Sequence, residues 1–251
     1  MKATKIIAPT LSLLLPPTAI KNFLLRKLGW RVGKGCRIGF SWIDCDNVLL
    51  HDFSKIGHGN YINCRTLVLR ESSYIQNFNQ IKGDIWVFLL KNAGIGNINK
   101  IMRAKRGVTW GRSVLRLGIY SKITSKHIVD CTRSVRLGNY STIAGLASQI
   151  WTHGYVHAPS GLERFRIDGS VTIGNNVYIG SASVINAAVK INNGITVGAC
   201  SCVSKSLLEP GLYVSQALRK IESDYETSMQ RHPRVEVDGL IEKVFNKKPK
   251  T

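Results

Sequence analysis

Residues 173–208 read IGNNVY-IGSASV-INAAVK-INNGIT-VGACSC-VSKSLL, six blocks of six without a slip. The first position is always branched: Ile173, Ile179, Ile185, Ile191, Val197 and Val203. The second is Gly, Asn or Ser. An α-helix repeats its apolar face about every 3.6 residues and a half-buried strand about every 2, so a sustained six fits neither. It fits a short strand followed by a tight turn, repeated. The branched residue then points into a narrow core. Its small neighbour supplies the positive φ, or the close backbone approach, that a corner needs.

The beat continues upstream with slips. Leu117, Ile123 and Val129 are six apart, as are Leu137 and Ile143, Ile75, Ile81 and Val87, and Ile56, Ile62 and Val68; Val32 and Ile38 begin it. The repeat therefore spans residues 32–208. Between Lys91 and Ser113 the pattern is irregular and basic (Lys100, Arg103, Lys105, Arg106, Arg112), as a loop thrown out of the stack or as two poor coils. The other interruption is WTHGYVHAP, beginning at Trp151, which carries two of the six histidines. An excursion over 155–170 follows it before the hexads restart.

The chain has 251 residues, enough for a buried core, and 44% of them are hydrophobic, which excludes a disordered polymer. Lys and Arg number 35 against 15 Asp and Glu, a net charge of +20. Such a surface attracts phosphates, anionic lipid, an anionic cofactor or nucleic acid, and charge alone does not choose among them. No nucleic-acid-binding module is recognisable, so no specific nucleic acid is expected. None of the six cysteines forms a C-x-x-C pair, and their spacing matches neither a zinc knuckle nor a compact disulfide framework. They read as reduced fillers in a cytoplasmic protein.

Residues 1–31 open on a basic, apolar stretch without an A-x-A-like cleavage site. Pro9, Pro16 and Pro17 interrupt a run shorter than the roughly 20 residues of a transmembrane span. Ala19, Ile20, Phe23, Leu24, Leu25 and Leu28 fall near one helical face, with Lys21, Arg26 and Lys27 beside it. This segment reads either as peripheral contact with an anionic membrane at its cytoplasmic face or as a cap over the end of the core.

The hexads resemble those of the hexapeptide-repeat acyltransferases, most strongly over 171–208 and more weakly over 32–150. The resemblance implies an all-β left-handed parallel β-helix, three hexads per triangular coil, with short helical segments at both ends. The C-terminal helices are expected over 218–229 and 240–245, within a basic tail, 209–251. In that family a coil near the middle loses its rhythm at a histidine-bearing segment. T-H-G-x-x-H at 152–157 looks like the T/S-H motif of the sugar O-acetyltransferase branch, so the loop 151–170 is the expected active-site loop and His153 the general base. A sugar hydroxyl is a poor nucleophile near neutral pH. A histidine within reach suits the proton transfer, worth ~10²–10⁴-fold. No nucleophilic Ser or Cys is needed, because a thioester is already activated.

The resemblance also implies acetyl-CoA as acyl donor, bound between subunits of a homotrimer, and no metal. Its extended arm would pass small residues at coil corners, here Gly180, Ser181, Ala199 and Ser201. Its phosphates would meet Lys205, Arg219 and Lys220. Trp151, His157 and Arg164 are candidates for contacting a saccharide or glycolipid acceptor, and a carboxylate among Glu163 and Asp168 is a candidate to orient His153. The family's Gly-x-Pro-Ala turn after the last coil is absent; residues 213–217 read YVSQA instead. Two other readings compete. One is a γ-type carbonic anhydrase with His127, His153 and His157 on zinc, whose spacing does not match that family's. The other is a non-catalytic scaffold β-helix.

Overall fold

The computed structural model describes residues 4–105 and 107–215. The expected helices at 218–229 and 240–245, with Arg219 and Lys220, lie outside the described residues.

The chain winds into a left-handed parallel β-helix of about nine turns. Each turn has three sides. Short strands of the second side, from Arg37–Ile38 to Gly211–Tyr213, stack into a nine-stranded parallel sheet. The first and third sides belong to one larger sheet, because Trp42–Leu50, Tyr61–Leu69 and Gln80–Leu89 run unbroken round the corner between them. Neighbouring turns lie about 4.8 Å apart, the spacing of hydrogen-bonded strands.

Stacking is residue on residue. On the second side Ile38, Ile56, Ile75, Ile95, Ile123, Ile143, Ile179 and Val197 pair in register, and all are buried. Each such side chain contributes roughly 1.5–3 kcal/mol by leaving water. On the first side the inward stack is Leu50, Leu69, Leu89, Leu117, Leu137, Ile173 and Ile191. A strict count of six would use Val68 and Val87 instead. The long strands add residues at the corner between third and first sides, and the frame advances to Leu69 and Leu89. The irregularity expected from Lys91 is also narrower: Gly94–Ile95 and Lys100–Met102 form two regular sides of a turn. Within that stretch it is 103–105 and 107–112 that leave the stack.

The corners divide two requirements that the hexad reading had placed on one residue. Positive φ falls at the fourth position, on Asn176 (54°), Ala182 (56°), Ala188 (64°) and Cys200 (57°). The second position is small for a different reason. A β-carbon on Gly180 would sit 2.5 Å from the Ala199 nitrogen of the next turn.

Between the second and third sides a buried polar ladder climbs the stack. Each side chain accepts the backbone N–H of its equivalent one turn on, from Ser41 through Asn60, Asn79, Asn99, His127 and Ser148 to Ser183 and Ser201, at 2.9–3.3 Å. His127 belongs to this ladder. Burial lowers its pKa, Nδ1 accepts from Ser148, and Nε2 bonds Thr124 at 2.9 Å. It is a neutral core histidine, and no group of metal-ligating side chains occurs among the described residues.

Helices α1 (Thr4–Leu14) and α2 (Ala19–Lys27) pack at the first turn. Pro9 lies inside α1 rather than ending it. In α2 the inward face is Lys21, Asn22 and Leu25, while Ile20 and Phe23 are exposed, so Lys21 does not lie on the solvent side. Its ammonium donates to the carbonyls of Ser12, Leu15 and Gly39 at 2.6, 2.9 and 2.8 Å, holding the end of α1 to the coil. No described helix is long and apolar enough to cross a membrane.

Candidate active site

After the third-side strand Gln149–Ile150 the chain does not turn into the next side. It leaves as an antiparallel hairpin, His153–His157 against Arg164–Asp168, and re-enters the stack at Val171–Ile173. The excursion that begins at Arg103 leaves from the same corner lower in the stack, and the two meet. Trp110 Nε1 donates to Asp168 Oδ2 at 3.0 Å, and Arg166 donates to the Val108 carbonyl. Arg133 lies 3.7 Å above the Trp110 ring and donates to its carbonyl at 3.0 Å.

His153 sits at the root of the hairpin. Its Nδ1 is 2.9 Å from Asp130 Oδ2. Asp130 ends the third-side strand of the turn below, and Val129 pairs with Ile150. The same carboxylate accepts from the Thr152 backbone N–H at 2.9 Å and from the Thr152 hydroxyl. It also accepts from the backbone N–H and hydroxyl of Thr132, at 3.1 and 2.8 Å. Burial by itself would push Asp130 up, but the hydrogen bonds from Thr152, His153 and Thr132 outweigh it and hold the carboxyl below its ordinary pKa. An ionised carboxylate takes a proton-bearing Nδ1 as its partner, which leaves the lone pair on Nε2. The His153 side chain is 26% exposed, against 9% for Asp130. The rings of Trp151 and Tyr155 stand edge-on to the imidazole, at 6.3 and 5.9 Å between centroids.

The carboxylate that orients His153 is therefore neither Glu163 nor Asp168. Asp168 forms a two-pronged pair with Arg166, at 2.6 and 2.9 Å. Asp130 was legible as an oddity, since it follows Val129 at the hexad position that the regular blocks of 173–208 fill with Gly, Asn or Ser.

Trp151 is half-buried and donates to Gln149 Oε1 at 2.9 Å. His157 and Arg164 face each other in register at the far end of the hairpin, about 13 Å of strand from His153; both are exposed, with the Arg164 guanidinium 4.6 Å from the Tyr155 ring. Gly180, Ser181, Ala199 and Ser201 lie at the corner that precedes the third side, whereas His153 follows it. They are thus at opposite ends of that side and do not converge within one chain. The Ser201 hydroxyl is committed to the Gly198 carbonyl at 2.8 Å. Lys205 is exposed and lies on His153's corner, in a shallow groove with Ser201, Tyr213 and Ser215.

No family model matches the sequence, and no curated protein sequence matches it. The backbone is similar to solved structures. A polySia-specific acetyltransferase, NeuO, is 18% identical over 71% of this chain and 93% of its own, with a TM-score of 0.40. The polysialic acid O-acetyltransferase OatWY is 15% identical over 80% and 89%, with a TM-score of 0.43. AntD, a Bacillus cereus N-acyltransferase solved as a point mutant with dTDP and coenzyme A, is 18% identical over 83% and 91%, with a TM-score of 0.37.

Proposed function

We propose that this chain is an acyl-CoA-dependent O-acetyltransferase acting on a hydroxyl of a saccharide, with His153 as general base. The observation that supports it is the Asp130–His153 pair: a buried carboxylate holds Nδ1 of a partly exposed imidazole, which leaves Nε2 as the nitrogen available to act as base. Nε2 takes the proton of the acceptor hydroxyl as its oxygen attacks the thioester carbonyl. The tetrahedral intermediate collapses with loss of the CoA thiolate, which recovers that proton from the imidazolium. Asp130 stabilises the imidazolium between the two transfers.

The small corner residues Gly180, Ser181 and Ala199 leave the backbone open to an extended donor arm. Because they and His153 occupy opposite ends of the third side, a second copy must bring its corner to this histidine, which supports an oligomer; we read it as the homotrimer that the hexad resemblance implies. The acceptor is a surface-polysaccharide or lipid-linked precursor. Exposed Leu14, Ile20 and Phe23 beside Lys27 suit an anionic bilayer surface, and sedimentation with anionic but not neutral vesicles is the expected result.

Incubation with acetyl-CoA and a saccharide panel, following thiol release, tests the reaction. His153→Ala should abolish transfer while the oligomeric mass stays unchanged. Absence of transfer, of slow thioester hydrolysis and of CoA binding in the native protein would leave a scaffold.

A further inference from the structure

The corner that carries His153 continues down the stack as a cleft. Asp44, Asn63, Lys82, Met102 and Asp130 pair in register on successive turns, one row leading to the carboxylate that positions His153. Lys82 is two turns from Asp130, about 10 Å. Over the first four turns this edge opens into a cleft of about 640 Å³, bounded by Trp42, Asp44, Arg65, Lys82 and Arg103. It shares Arg65, Asp84 and Arg103 with a second hollow of about 480 Å³ walled by Trp86 and Arg112, so the two adjoin.

The far wall is the excursion that begins at Arg103, through Ala104, Lys105, Thr109, Gly111 and Arg112. The buried Arg103 guanidinium pins it by donating to the carbonyls of Trp110 and Gly111 at 3.1 and 2.7 Å. Trp110 in turn donates to Asp168 on the hairpin, so the wall of the cleft is tied to the element that bears His153.

We propose that this cleft is a track for an extended anionic glycan, holding sugar units several residues away from the one whose hydroxyl reaches His153. The inference rests on the acyltransferase reading for its purpose, and on the cleft's own chemistry for its ligand. A pyranose presents C–H faces and hydroxyls. Indole rings meet the first, and carboxylate–guanidinium pairs meet the second with fixed donors and acceptors. Both are here. Trp42 lines the cleft with its indole, the Arg112 guanidinium sits over the Trp86 ring at 3.5 Å, and Arg65 pairs with Asp84 at 3.4 Å. Cations outnumber carboxylates along the cleft, which favours an acidic chain over a neutral one. The volume, about 640 Å³, lies within the range of small-ligand sites, and the lining spans four successive turns.

The test is a glycan array of polyuronate, sulfated and neutral chains from one to eight units, probed with the full-length protein without acyl donor. Acidic chains of four or more units should bind about 10-fold tighter than their monosaccharides. Trp42→Ala and the double variant Arg65→Ala/Lys82→Ala should lose that gain, with oligomeric mass and slow acetyl-CoA hydrolysis unchanged. Equal binding of monomer and chain, retention of neutral chains only, or variants that bind like the native protein would overturn the proposal. So would variants that lower the oligomeric mass, which would make the cleft a seam between copies. Chain binding without any transfer would instead sink the acyltransferase reading and keep the track; transfer indifferent to chain length would do the reverse.

Discussion

His153 Nδ1 and Asp130 Oδ2 are 2.9 Å apart although 23 residues separate them along the chain. One turn of the helix closes that gap, because Val129 and Ile150, one residue before Asp130 and three before His153, pair in register on consecutive turns. Replacing Asp130 by Asn keeps the size and removes the charge that selects the Nδ1–H tautomer. We expect kcat to fall roughly 10²–10⁴-fold, as when an Asp→Asn change leaves a catalytic histidine in the wrong tautomer, with KM for acetyl-CoA unchanged. Steady-state kinetics across pH 6–9 checks this; an unchanged kcat with an unchanged pH profile would remove Asp130 from the mechanism.

Asp130 also couples folding to pH. Its folded pKa is depressed, so the folded state binds this proton less readily than the unfolded chain. Its contribution is complete above the ordinary aspartate value, about 3.9, and is lost as pH falls through the depressed one. The melting difference between native protein and Asp130→Asn should therefore be largest near neutrality and shrink below about pH 4. A difference constant from pH 7 to pH 3 would contradict the charged network.

The two corner requirements can be separated by mutation. Gly180→Ala forces a β-carbon to 2.5 Å from the Ala199 nitrogen, where only backbone can yield, and should cost ~1–3 kcal/mol in denaturant titrations. Ala182→Gly relieves a left-handed residue at φ 56°, and should be neutral or stabilising by up to about 1 kcal/mol. The opposite ranking would mean that the second position carries the strained backbone after all.

Cys45 and Cys64 pair in register on consecutive turns with their sulfurs 3.3 Å apart. Stacked strands hold α-carbons about 4.8 Å apart, within the span a disulfide accepts. Diamide should oxidise the folded protein by two hydrogens, and peptide mapping should join these two residues. The Cys45 contact and burial hold the Cys64 thiol above its ordinary pKa, so the bond should form faster as pH rises; two thiols still free at alkaline pH while the protein remains folded would contradict the pairing.

Much of the solenoid was readable because its cause is local. Ile173, Ile179 and Ile185 repeat one environment, and every block restates it. His153 stood out for the same reason, as a histidine where the blocks stop. The frame in the first turns was less legible: Leu69 and Leu89 replace Val68 and Val87 because residues added at one corner shift the count, and an added residue carries no mark of the side on which it lies. The inward turn of Lys21 was hidden by its charge, since only the three carbonyls gathered by α1 and the coil make burial tolerable.

By itself the sequence determined the period, hence the stacked coil, the branched core and the place where the coil opens. Which carboxylate meets His153, and that the excursion beginning at Arg103 walls a cleft on the same edge, were decided only in three dimensions. The physical reason is that a six-residue rhythm records how each strand turns, whereas contact between turns depends on the total chain length between corners. That sum, interrupted by two excursions, appears in no single block.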